Sequence, residues 1–401
     1  MSEPRTLGLA WQINLNTGWG VFGLNIALDM ARRRSPELRL ICPSPMAHLE
    51  AMPPWHRRVV GELEGRRIRN PVPGLRFWRE QAAASRGSVP EAILYALGNN
   101  FVRLLVEGDA PEHRRIGVVF LEGSRIKPEA VSRAQRYHRL LAGSSWNEQV
   151  MRGHGLDQAI AVFQGVDLSL FHPRPPSGVS GERFVVFSGG ALEFRKGQDI
   201  IAAAFRAFQA RHPEALLVTC WHTPSAERAA TIGLGRHAAG VPAIRADGTP
   251  NVAAWLAGQG IPAHAVFECG YVPYPHLPNL LGECDAAVFA SRVEGGTNLF
   301  AMQAVASGVP TLVSANTGHL DLIRLAGLRG LERQAPVAIS HLADGGTDGW
   351  GESDTEELVE ALETIWRDRA AARRDAAAAA TRMAEWSWPR RIDHMLEVVG
   401  S

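Results

Sequence analysis

The chain has 401 residues, with 42 basic and 41 acidic side chains, a formal net charge of +1 at pH 7, and 46% hydrophobic residues. That length exceeds one ordinary core, so two domains are expected, and the near-zero charge leaves no electrostatic footprint for nucleic acid. Cys42, Cys220, Cys269 and Cys284 are widely spaced with no C-x-x-C, which suggests neither a zinc site nor a redox pair and points to a reducing compartment. The opening MSEPRTLGLAWQI has no basic region followed by a long apolar stretch, so no signal peptide is expected. No apolar run reaches transmembrane length. A soluble, cytoplasmic protein is expected, and peripheral contact with a membrane surface stays open.

Short apolar strands alternate with helices, the signature of α/β architecture with parallel sheets. In the first half, strands are predicted at 7–13, 38–42, 92–97, 116–121, 140–142 and 160–163, with the clearest helices at 21–33 and 128–137. The stretch FHPRPPSGVSGER, 171–183, is rich in Pro, Gly and Ser and reads as a linker. A second series follows, with strands at 184–187, 216–220, 265–268, 286–290 and 311–313 and helices at 198–211, 252–258, 276–283 and 299–306. A long Ala-rich helix is predicted at 356–384, then the Trp-rich break EWSWPRR and a last amphipathic helix. The expected organisation is a Rossmann-like domain over 1–170, the linker over 171–183, a second Rossmann-like domain over 184–385, and a closing helix over 386–401. Two such halves leave a cleft between them, and open α/β sheets bind ligands at the carboxyl ends of their strands.

Three loops carry candidate chemistry. In INLNTGWGVFGLNIALDM, Gly18, Gly20 and Gly23 form a G-x-G-x-x-G between a strand and a helix. An NAD site needs an acidic residue at the end of the second strand, and LRLICPSP has none. What survives is either a backbone able to approach a phosphate at a helix N-terminus or a tight turn that needs glycine for packing. In FSGGALEFRKGQDIIAAAF, Gly189 and Gly190 end a strand, and Arg195 and Lys196 precede the helix opened by Gly197. Two cations beside a helix N-terminus suit a diphosphate; a solvated pair on a loop is the alternative. In SRVEGGTNLFAMQAVASGVPTLVS, Glu294 is followed by Gly295, Gly296, Thr297, Asn298 and Leu299 leading into a helix that carries Gln303. Free N–H groups and the positive end of the helix dipole favour an anion, while Glu294 accepts hydrogen bonds from hydroxyls. Phosphate and hydroxyl recognition in one place describes a nucleotide sugar. An exposed loop glutamate and a helix-face glutamine are the plainer alternative.

These stretches resemble the retaining GT-B glycosyltransferases, in particular glycosyltransferase family 4. EGGTNLFAMQAVASGVPTLV is similar to the family's glutamate motif, E-x7-E within EGFGLPxLEAMAxGxPVV. VFQGVDLSLFHP resembles its domain-junction segment, GGALEFRKGQDIIAAAF its Arg/Lys diphosphate segment, and VFECGYVPYPHLPNLLGECDAAVFAS the stretch before the glutamate motif. EWSWPRRIDHML resembles the closing helix that crosses back to the first domain. The match runs from about Leu140 to the end, with the Gly18–Gly20 loop as the main point of likeness earlier. Departures are specific: the spacing is E-x8, the second acidic position is Gln303, the arginine five residues before the lysine is Ala191, and the histidine after a first-domain strand is Glu122.

The resemblance implies a GT-B fold and retaining transfer from a nucleoside diphosphate sugar to an unknown acceptor, glycan or lipid-linked, with no cofactor. Arg195, Lys196 and the N–H groups near Thr297–Leu299 would stabilise the departing diphosphate, dispensing with a metal, for which no Asp-x-Asp stands out. Glu294 would hold sugar hydroxyls, Gln303 the ribose, and Gly270, Tyr271 and Val272 the base. Gly18 and Gly20 would approach diphosphate or acceptor, Gly190 would lie beside the diphosphate, and Glu122 would orient a sugar or acceptor hydroxyl or simply end its strand. A nucleotide-sugar epimerase of the same fold and a non-catalytic relative that binds nucleotides or glycans are the alternatives. Of the tryptophans and arginines of the first half, Trp19, Trp55, Trp78 and Arg79 could stack on sugar or meet anions, with core packing the commoner role.

Overall fold

The computed structural model describes residues 5–33, 35–68, 90–105, 113–337 and 345–401; Trp78 and Arg79 lie outside them. The first half contains β1 (Thr6–Ala10), α1 (Gly18–Arg32), β2 (Glu37–Leu40), α2 (Pro54–Gly65), β3 (Ala92–Leu97), β4 (Arg114–Val119), α3 (Pro128–Ala134), β5 (Arg139–Ala142), α4 (Ser145–Gly153) and β6 (Ala159–Ala161). Its strands form one parallel sheet in the order β2-β1-β3-β4-β5-β6. The second half runs β7 (Phe184–Gly190), α5 (Gln198–Gln209), β8 (Ala215–Trp221), α6 (Ala226–Ala230), α7 (Val252–Gly258), β9 (Val266–Glu268), α8 (Leu277–Gly282), β10 (Ala286–Phe289), α9 (Leu299–Ala306), β11 (Thr311–Val313) and α10 (His319–Ala326). These strands make a second parallel sheet, β11-β10-β7-β8-β9. The hairpin β12 (Gln334–Pro336) and β13 (Gly351–Ser353) precedes α11 (Thr355–Arg367), α12 (Arg369–Arg382) and α13 (Trp388–Gly400).

Near-continuous apolar runs build both sheets because parallel strands covered by helices are buried on both faces. All six residues of β3 are buried, as are the first six of β7. The long helix expected over 356–384 is instead two. Asp368 leaves the helical region at φ −140° and ψ 74°, and its carboxylate caps the next helix by accepting from the Ala371 N–H at 2.8 Å. An Asp N-cap overrides the strong helix preference of the alanines around it. The strand endings expected at Ile13, Leu121 and Phe163 also fall short: the ladders stop at Ala10, Val119 and Ala161, and the apolar residues beyond them pack in the loops.

Each sheet reverses its strand order at one place, between β1 and β3 in the first and between β7 and β10 in the second. Such points open a crevice at the strand ends. The two carboxyl edges face each other. Ser144 Oγ donates to the Gly295 carbonyl at 2.9 Å, and the Ser145 N–H and Oγ donate to Asp321 at 2.8 and 2.6 Å. α13 returns to the first half: Trp388 stacks on Phe22 of α1 with ring centroids 5.4 Å apart, Arg33 pairs with Asp393 at 2.6 Å, and Arg114 donates to the Val399 carbonyl. Among the described residues no helix is long and apolar enough to cross a membrane.

Trp388 is 3% exposed, so truncating it empties a packed site. Trp388→Ala should lower the unfolding free energy by about 3 kcal/mol or more in denaturant titration. A loss under about 1 kcal/mol would mean that α13 is not part of the cooperative unit.

Candidate active site

The chemistry-bearing loops follow β7 and β10, the two strands that flank the second sheet's switch point. After β7 the chain makes a single turn over Phe194–Lys196 and passes through Gly197 at φ 67°, where a Cβ would lie 2.0 Å from the Ala290 carbonyl oxygen. Only glycine meets both constraints, and α5 starts immediately after it. Lys196 is thereby aimed across to the loop after β10. Its Nζ lies 2.7 Å from each Glu294 carboxylate oxygen. Glu294 Oε1 also accepts from Ser291 Oγ at 2.6 Å and from Asn298 Nδ2 at 3.0 Å. The Glu294 N–H donates to Thr317 Oγ1 at 2.9 Å.

Arg195 joins the two halves of the molecule. Its Nε is 2.9 Å from Glu122 Oε1, one Nη is 2.7 Å from Glu193 Oε1, and the other is 3.6 Å from Glu294 Oε2. Burial alone would push the Glu294 carboxyl upward, but Lys196 and Arg195 outweigh it and hold the group at about 2. Burial lowers Lys196, an effect that Glu294 opposes. Glu294 is therefore a carboxylate at neutral pH, clamped by two cations rather than waving in a loop.

Arg292 fixes the two loops from behind. Its guanidinium is fully buried, meets both Asp199 oxygens at 2.8 and 2.7 Å, pairs with Glu352, and donates to the Phe194 carbonyl at 2.8 Å. Removing one member of such a network leaves an uncompensated buried charge, which is strongly destabilising. Burial pushes Glu352 up, but hydrogen bonding to His237 and the charge of Arg292 bring it to about 2.

The residues expected from sequence are distributed unevenly around this centre. Arg195, Lys196, Glu294, Glu122 and Asn298 come together directly. Gly190 lies beside Lys196, whose Cδ would be 3.8 Å from a Cβ there. Gly18 faces Leu299 across the cleft at 3.5 Å by the same measure. Tyr271 Oη donates to the Leu15 carbonyl at 3.2 Å, which brings Gly270–Val272 against the first glycine loop. Gly20 is different: it is buried, and a Cβ would strike Asn14 Oδ1, the acceptor that holds the Asn16 and Thr17 N–H groups. Its role is turn packing. Gly295 and Gly296 likewise press on Leu121 and Phe120 of the first half, and Thr297 Oγ1 turns inward to Met302 Sδ at 3.0 Å. Gln303 sits on α9, 4% exposed, and its Oε1 has no hydrogen-bond partner among the described residues. Trp19 packs edge-on against Trp11 and Phe120, whereas Trp55 stands 70% exposed on α2.

Ser291, Arg292, Thr317 and His319 were not singled out by sequence. Ser291 and Arg292 lie just before Glu294, so closeness in sequence is the only signal that marks them; Thr317 and His319 depend on the fold. A cavity of about 550 Å³ opens beside Arg195 between the two halves, lined by Asn99, Glu122 and Arg133 of the first and by Glu193 and Trp350 of the second. Trp350 Nε1 donates to the Glu122 carbonyl at 2.9 Å.

Two facing Rossmann-like sheets with this crossing helix are the GT-B fold of glycosyltransferases. The solved structures agree along nearly the whole chain. Sucrose-phosphate synthase from Thermosynechococcus elongatus is 15% identical with a TM-score of 0.62, covering 98% of both chains. HepE from Anabaena, solved in complex with UDP, is 13% identical with a TM-score of 0.60, covering 98% of this chain and 99% of its own. A glycosyltransferase from Rickettsia africae is 11% identical with a TM-score of 0.62, covering 98% of this chain and 97% of its own. At such identities the likeness establishes the fold. Residues 266–395, less than half of the chain, match the family described as GT4-conflict, Family 4 Glycosyltransferase in conflict systems. No curated protein matches the chain in sequence. Fold and family match together support a glycosyltransferase.

Both Glu294 and Glu352 sit far below the ordinary carboxyl value of 4.5 in the folded chain. Their contribution to stability is present above pH 4.5 and is lost as pH falls towards 2. The melting temperature should therefore fall most steeply across that window, and Glu294→Gln should flatten the fall. An unchanged slope in Glu294→Gln would contradict the clamped carboxylate.

Proposed function

We propose that the protein is a retaining glycosyltransferase that moves a sugar from a nucleoside diphosphate sugar to an acceptor hydroxyl, without a metal. The observation that carries this reading is the convergence of Lys196 and Arg195 on Glu294, at the switch point of the second sheet and beside the N-terminus of α9. The cations and first-turn N–H groups suit a diphosphate, and the carboxylate suits sugar hydroxyls. An ammonium has several N–H donors, so Lys196 can hold Glu294 and a phosphate oxygen together.

In the proposed complex the diphosphate lies against Lys196, Arg195 and the N–H groups of Thr297–Leu299, with Gly18 opposite. Gly270, Tyr271 and Val272 meet the base. Gln303 Oε1, buried and unpartnered among the described residues, accepts from a ribose hydroxyl. The acceptor enters the cavity beside Glu122 and Trp350. The bond from the anomeric carbon to the phosphate oxygen breaks, and the acceptor oxygen bonds to the same face. The acceptor proton passes to the departing phosphate. Charge that develops on the diphosphate is met by preorganised cations and dipoles. Contacts between the halves such as Ser145 with Asp321 would help to keep water from the bound donor.

A thermal-shift screen against UDP, GDP, ADP and dTDP, their sugar forms, and NAD tests this, since a ligand that binds only the folded state raises the melting temperature. The complexes of HepE with UDP and UDP-glucose make the uridine pair the first to try. One diphosphate should raise the melting temperature, Lys196→Met should abolish that shift, and Gln303→Ala should weaken binding about tenfold. A shift with NAD alone would overturn the transferase reading.

A further inference from the structure

Glu294 is placed by more than its cations. Asn298, whose Nδ2 donates to Glu294 Oε1 at 3.0 Å, stands at φ 60° and caps α9 through its Oδ1, which accepts from the Ala301 N–H at 3.3 Å. A left-handed backbone at a non-glycine residue persists only where its surroundings over-determine it. The same Nδ2 lies 3.1 Å from His319 Nε2. With Oδ1 committed to the helix cap, the amide nitrogen is the group that faces both Glu294 and the ring. Its two hydrogens then go one to the carboxylate and one to the imidazole. Nε2 must therefore be the bare nitrogen, and the ring proton sits on Nδ1.

We propose that His319 is a positioning residue for the active site: it accepts a hydrogen bond from Asn298 and thereby holds the Asn298 amide, and through it Glu294, in the orientation that receives the donor sugar. This rests on the transferase reading for the ligand, though not for the contact itself. The ring is fully buried. Burial lowers its pKa to about 4 despite the nearby Glu294, so it stays neutral and keeps Nε2 free to accept. Its Nε2 is 3.9 Å from Glu294 Oε1, too far to bond directly, so Asn298 is the link. The device also suits this chain's longer loop. Eight residues separate Glu294 from Gln303, and the turn at Asn298 brings the chain into α9.

His319→Gln keeps an acceptor oxygen in the pocket, whereas His319→Leu removes it. Calorimetric titration with UDP and with UDP-glucose separates positioning from mere folding. His319→Leu is expected to bind UDP as the wild type does, yet to bind UDP-glucose about tenfold more weakly, with His319→Gln restoring most of the loss. Equal loss for both ligands, or no loss, overturns it. Failure of the wild type to bind any nucleotide would sink the transferase reading instead. The 15N spectrum of the imidazole then decides the contact on its own: a neutral ring protonated at Nδ1 is expected, and a proton on Nε2 overturns the proposal.

Discussion

The site depends on a buried carboxylate held between a lysine and an arginine. An ionised glutamate with 4% exposure is unfavourable unless its charge is met. Lys196, Arg195, Ser291 and Asn298 meet it. Their convergence sets other features of the chain: Gly197 exists to let Lys196 turn across, and Gly295 lets the Glu294 loop press on Leu121. Arg292 ties the two loops by Asp199 and the Phe194 carbonyl. Packing, backbone geometry and charge all serve one point in space.

That point lies where it can act on both halves of the molecule. Arg195 reaches Glu294 within its own half and Glu122 in the other. It therefore stands between the proposed donor position and the cavity proposed for the acceptor. A guanidinium keeps its charge in either setting, which suits a group that spans the two. The closed arrangement is stabilised by interlocking hydrogen bonds, Ser144 to Gly295, Ser145 to Asp321 and Tyr271 to Leu15.

Much of this was legible in the sequence because it is local. Apolar runs bounded by glycine and proline set the strands of both sheets, and β3 and β11 fall on the predicted residues. The loops with Arg195, Lys196 and Glu294 stood out because strand, glycine and charge follow one another within a few residues. Other features were hidden for physical reasons. The break at Asp368 depends on one side-chain cap inside a strongly helical run. His319 reaches Asn298 only when α10 packs beside the Glu294 loop, a contact between residues 21 apart. Gly20 matched a phosphate motif, yet its missing Cβ makes room for Asn14. A glycine pattern reports that space is needed, not what fills it.

The most direct test of the central claim is a crystal structure with the nucleoside diphosphate, and then its sugar form, that raises the melting temperature. The diphosphate is expected between Lys196, Arg195 and the start of α9, with Lys196 Nζ bonded to a phosphate oxygen and a Glu294 oxygen facing a sugar hydroxyl. A nucleotide bound elsewhere, with the Lys196–Glu294 pair untouched, would contradict it.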